Sequence, residues 1–132
     1  MNEVLKKLKL TIQNPVLILN APDEYINIME DIESEVHTEI KEKYKFIQLF
    51  ARGIAEAKEN IGACIEALDG DGYLWICYPK GSSKKYKSDL NRDTTQVITE
   101  KYNFQGVTLV SIDNDWSAFR IRHIDNIKSL KK

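Results

Sequence analysis

No apolar run in this chain approaches the roughly 20 residues that cross a bilayer, so a membrane-spanning helix is not expected. The opening segment, MNEVLKKLKL, alternates charge with leucine and lacks the roughly 7–15-residue apolar core of a signal peptide. A cytoplasmic setting is the expectation. There are two cysteines, Cys64 and Cys77, in neither a CxxC pair nor histidine-flanked metal spacing. Each sits in an apolar segment, where a free thiol behaves as a small hydrophobe, so no metal and no disulfide is expected. Histidine is as scarce. His37 and His123 are the two, and no GxSxG or HExxH pattern surrounds any serine or histidine. Charge of one sign is missing as well: 19 basic against 20 acidic residues leave a formal charge of -1. That removes the simplest case for a nucleic-acid binder. Glycine does not occur between Met1 and Arg52.

What is present is an ordinary globular composition. The 132 residues, 42% apolar and 30% charged, suit one α/β domain over 1–132 whose core needs no staples. Residues 2–11 read as a short amphipathic helix with Val4, Leu5, Leu8 and Ile12 on one side. Val16–Leu19 is continuously apolar, a buried strand at 16–20. Asp23 is placed to cap a helix bearing Tyr25, Ile28, Met29 and Ile32. Val36, Thr38 and Ile40 alternate with His37 and Glu39, an edge strand at 36–40 with one wet face.

A second apolar strand is expected at 45–51. Gly53 then opens a helix with Ile54, Ala57, Ile61, Ile65 and Leu68 in one stripe, closed by a left-handed Gly70. Tyr73–Tyr78 is the strongest strand and Pro79 ends it; Lys80–Lys87 reads as a polar loop. Asp93 and Gln96 have capping-box spacing before a helix with Val97 and Ile98. Strands at 107–112 and 116–122, joined by Asp113-Asn114-Asp115, make a hairpin. The basic tail, 124–132, frays or forms a short helix. Strands separated by helices argue for βαβ units and a mostly parallel sheet with helices on both faces. Trp75, Trp116 and Phe119 are expected in the core.

Three segments carry a resemblance: Leu74–Lys80 (LWICYPK), Ser88–Asp93 (SDLNRD) and Asp113–Arg122 (DNDWSAFRIR), with the opening Val16–Pro22 (VLILNAP). Together they resemble a family of small bacterial proteins known only as a domain of unknown function. A wider likeness is to the carboxyl-terminal half of Rossmann-like methyltransferases, which end in strand, helix, parallel strand and antiparallel hairpin strand. That likeness implies a three-layer sandwich with a mixed, mostly parallel six-stranded sheet in the order 2-1-3-4-6-5, the last strand antiparallel. The frame would be a truncated Rossmann-like one. The departure is in the first loop: where methyltransferases carry a glycine-rich turn, this chain has Asn20-Ala21-Pro22-Asp23-Glu24. Without glycine a close backbone approach to S-adenosylmethionine is hard to build.

In such a sheet ligands bind outside the carboxyl ends of the strands. By that rule Asn20, Arg52, Lys80, Ser82, Ser83 and Asp113 collect at one edge, with Asp23, Asp115 and Trp116 nearby. Lys80–Arg92 holds five basic residues and one acid, with Gly81 and two serines to offer hydrogen bonds. It lacks the P-loop spacing, and a solvated lysine loop is the simpler alternative. Asp93 suits a helix cap and Asp89 a turn, which leaves Asn91 and Arg92 as further ligand candidates. Residues 21–42 carry eight acids and one lysine, while Arg120–Lys132 carry five basic residues and one acid. That polarity suits a protein partner or self-association at least as well as contacts to a phosphate backbone, and nucleic acid is not the expected partner. The expectation is a binder of a small anionic ligand or a protein partner, without catalysis or cofactor. The alternative is a degenerate S-adenosylmethionine methyltransferase-like enzyme.

Overall fold

A computed structural model describes residues 2–127. Its strands are β1 (Val16–Leu19), β2 (Val36–His37), β3 (Tyr44–Phe50), β4 (Leu68–Pro79), β5 (Phe104–Ser111) and β6 (Trp116–His123). The helices are α1 (Glu3–Lys7), α2 (Ile26–Glu30), α3 (Ile54–Ala67) and α4 (Arg92–Glu100). The six strands form one mixed sheet in the order 2-1-3-4-6-5. β1 pairs in parallel with β2 and β3, and β3 with β4; β6 lies antiparallel between β4 and β5. The order implied by the methyltransferase likeness is the one found.

Period-two alternation divides the core between the two faces of the sheet. Leu17, Ile47, Leu49, Leu74, Ile76, Phe119 and Ile121 cluster with Ala57, Ile61, Cys64 and Ile98 of α3 and α4. Val16, Ile18, Phe46, Phe50, Trp75, Cys77 and Trp116 face the other way, toward Leu5 and Leu8 of α1, Tyr25, and Ile28 and Met29 of α2. β1 and β3 are apolar on both faces because helices cover both. The Trp75 indole donates to the carbonyl of Leu8 at 3.0 Å, which ties the amino-terminal helix to the centre of the sheet. Trp75, Trp116 and Phe119 are all buried, as expected.

Several elements differ from the sequence expectations. α1 spans five residues rather than 2–11, because Lys9 turns left-handed (φ 64°), and Ile12 is 93% exposed instead of sharing its apolar side. Asp23 begins a 3₁₀ turn (Asp23–Tyr25) rather than capping an α-helix, and α2 follows. The edge strand shrinks from 36–40 to two residues, and its expected wet position is dry. His37 is 7% exposed, its ring nitrogens 2.6 Å from the Tyr44 hydroxyl and from Glu35. Gly70 takes the expected left-handed φ of 58°, but α3 has already ended and Leu68 starts β4. The cap of α4 is Asn91 with Thr94, not Asp93 with Gln96. Ile124–Asn126 form a 3₁₀ turn; the rest of the expected basic tail, 128–132, lies outside the described residues. No helix among the described residues is long and apolar enough to cross a membrane.

Candidate functional site

The loops after β1 and β3 leave the sheet toward opposite faces, one to α2 and the other to α3, so the strand order reverses between them. Asn20 ends β1 in the left-handed region, φ 60°. Asparagine tolerates this conformation, so the turn expected to need glycine is made without it. The crevice is bridged by the chain itself: the Arg52 guanidinium donates to the Asn20 carbonyl at 3.3 Å, and its Nη1 lies 3.7 Å from Glu56. The same guanidinium sits 5.8 Å from the Trp116 ring centroid.

The connection between β4 and α4, residues 80–91, lies across this edge as a strap. Ser83 donates to Asp115 at 2.7 Å and accepts from the backbone N–H groups of Lys85 and Tyr86. The Tyr86 hydroxyl donates to Glu24 at 2.6 Å, joined there by the Trp116 indole at 3.0 Å and Lys85 Nζ at 3.1 Å. Partial burial alone would raise the Glu24 carboxyl, but these bonds and its own backbone N–H hold it down at about 2. Further along the strap, Asp89 accepts the backbone N–H of Ile54 at 2.8 Å. A carboxylate of the chain thus already occupies the amino terminus of α3, where an anion would otherwise be favoured.

The ligand candidates separate into three groups. Lys80, Ser82, Asn91 and Arg92 line one cleft of about 520 Å³, together with Tyr78 and Ser88. Asn20 and Arg52 bond each other at the strand switch and are not among the residues lining it. Ser83 and Asp113 hold turns: Asp113 accepts the backbone N–H groups of Asp115 and Trp116, each at 2.8 Å. Asn91, although in the cleft, uses its side-chain oxygen to cap α4 through the Thr94 N–H at 2.9 Å. Lys80 reaches the Ser111 hydroxyl at 2.6 Å.

Tyr78 was not among the candidates. It is 5% exposed, and its hydroxyl has no hydrogen-bond partner among the described residues. Burial pushes that hydroxyl up, Arg92 pulls it down and Asp93 raises it, so both α4 side chains act on it electrically. The sequence signal was the alternation Leu74, Ile76, Tyr78, which sends a phenol along the α3–α4 face to the carboxyl end of a central strand. The Glu24–Tyr86–Trp116 cluster left no such signal, since its members lie up to 92 residues apart.

No family model matches the chain, and no curated protein matches it by sequence. Solved structures do. A ribosomal protein L11 methylase from Lactobacillus delbrueckii subsp. bulgaricus superposes with a TM-score of 0.55 at 10% identity, covering 91% of this chain and 74% of that one. A methyltransferase from Pyrococcus furiosus gives 0.55 at 6% identity, over 91% and 79%. A tRNA methyltransferase of B. subtilis gives 0.52 at 10% identity, over 92% and 66%. At these identities the likeness is one of fold: the frame is Rossmann-like and methyltransferase-like. It is the frame that the methyltransferase-like alternative implies. The likeness to a small bacterial family gains no support from these matches.

Proposed function

We propose that the chain binds a small anion, a phosphate or carboxylate group, in the Tyr78 cleft of this methyltransferase-like frame. The observation that carries the reading is Tyr78, a residue 5% exposed whose hydroxyl opens onto a cleft flanked by two cations and meets no side chain or backbone partner among the described residues. A phenol that faces the cleft with no partner of its own is free to donate to an anionic oxygen. Lys80 and Arg92 outnumber the one carboxylate at the rim, Asp93, while Ser82 and Ser88 add directional donors.

The test is thermal unfolding with inorganic phosphate, a nucleotide and a dicarboxylate. At a hundred times its dissociation constant, a ligand confined to the native state stabilises by about 2.7 kcal/mol. The wild type should gain; Tyr78→Phe, Lys80→Ala and Arg92→Ala should gain much less. Arg52→Ala should behave like the wild type, since Arg52 belongs to the strand switch. An anion response identical in all five proteins would remove the proposal.

Methyl transfer from S-adenosylmethionine is the second reading. The shared fold favours it, and so does the left-handed turn that Asn20 supplies at the end of β1. Against it stand Arg52 across the strand switch and Asp89 at the start of α3. Calorimetry showing S-adenosylmethionine binding on the order of micromolar would promote this reading over the first.

A further inference from the structure

Strand β5 is one edge of the sheet, and it holds no lysine, no proline and no charged residue of any kind. Those are the usual means of keeping an open edge from associating. Seven large apolar side chains are exposed among the described residues, and four of them, Val97, Val107, Leu109 and Ile124, gather on α4, β5 and the turn after β6. Two adjoining hollows of about 380 and 370 Å³ run between α4 and β5 and share Asp93 and Gln96. Part of the edge is already blunted: the ladder shifts register between Gly106 and Thr108, and the Gln96 side chain accepts the Gly106 N–H at 3.0 Å. What stays uncovered is chiefly side chain.

The charges along this surface differ between its ends, one cation beside Asp93 at one and a carboxylate alone at the other. Arg92 lies at the Leu109 end and Glu100 at the Phe104 end, eight residues apart on α4 with Val97 between them. Neither Arg92 nor Glu100 has an ion-pair partner among the described residues. Turned through 180° onto a second copy, the surface sets its one cation, Arg92, against Glu100 and its apolar side chains against themselves, with Asp93 beside the pair. We propose that the α4–β5 edge is the two-fold interface of a homodimer. Each Arg92 faces Glu100 of the second copy, and the two Val97 side chains meet beside the axis.

Sedimentation of the full chain over a range of concentrations tests this. The wild type should reach a dimer, and the dimer should weaken with salt. Val97→Lys with Val107→Lys should be monomeric while keeping the wild-type circular dichroism, since both side chains are exposed. Arg92→Glu alone and Glu100→Arg alone should each weaken the dimer, and the two together should restore it. Restoration is the result a merely structural role for these residues would not give. A wild type monomeric at its highest soluble concentration overturns the proposal and leaves this edge to some other partner. So does a dimer that survives the double lysine variant, or the absence of rescue by the charge exchange. The double lysine variant should retain anion binding; Arg92→Glu should lose it, because Arg92 also flanks the Tyr78 cleft, so the dimer is read by sedimentation in anion-free buffer.

Discussion

A β-carbon added to Gly106 would lie 1.8 Å from Cζ of Phe119, a ring fixed in the core on the α3–α4 face. Gly106→Ala is therefore expected to cost about 1–3 kcal/mol in denaturant titration, whereas Gly81→Ala, with open space around it, should be near neutral. Burial pushes both thiols, Cys64 and Cys77, up to about 12, with a hydrogen bond from Gln48 partly opposing this at Cys77. Neither should react with an aromatic disulfide reagent in the native protein, and both should do so at the rate of unfolding. Prompt labelling of the folded chain would contradict the burial described. Single residues were legible in the sequence where one role follows from one neighbourhood. Both cysteines read correctly as buried hydrophobes, but Asn91 read as a ligand because its capping partner, Thr94, competed with an equally plausible Asp93–Gln96 pair.

Elements were more legible than their limits. All six strands were placed, because apolar runs and alternation report burial directly. Lengths went astray where a backbone turn intervenes without glycine or proline, as at Lys9, or where a polar side chain finds an internal partner, as His37 does. β4 lies between β3 and β6, and Trp75 is buried at its middle. Trp75→Ala should cost about 3–5 kcal/mol, since it leaves a large cavity and an unmatched Leu8 carbonyl. Asn91→Ala should cost about 1 kcal/mol through loss of the cap of α4, with Asn91→Asp close to neutral. Equal losses for the alanine and aspartate variants would mean that the cap contributes little.

At the scale of the whole molecule, strand order was not written in periodicity; it came from the methyltransferase likeness, because a local pattern does not say which strand sits beside which. The same non-locality concealed the latch of Glu24 with Tyr86, Lys85 and Trp116. Its pH dependence has a definite sign. The Glu24 carboxyl titrates lower in the folded chain, at about 2, than its ordinary value of 4.5. Its contribution is therefore complete above about 4.5 and fades as pH falls toward 2. Glu24→Gln should lower stability near neutral pH by about 2 kcal/mol and should flatten that acid limb of the stability curve. An unchanged limb would show that the latch carries no weight.

The position of β6 bears on the order in which the protein can be made. β6, the last of the six strands in chain order among the described residues, is an interior one, inserted between β4 and β5. Until residues 116–123 have left the ribosome, β4 presents a bare edge carrying Trp75, Ile76 and Cys77, and β5 has no neighbour to join. The nascent chain is thus sticky from the completion of β4 until β6 emerges, then closes at once. A chain halted before Trp116 should be captured by chaperones or aggregate, and one released a few residues after His123 should fold.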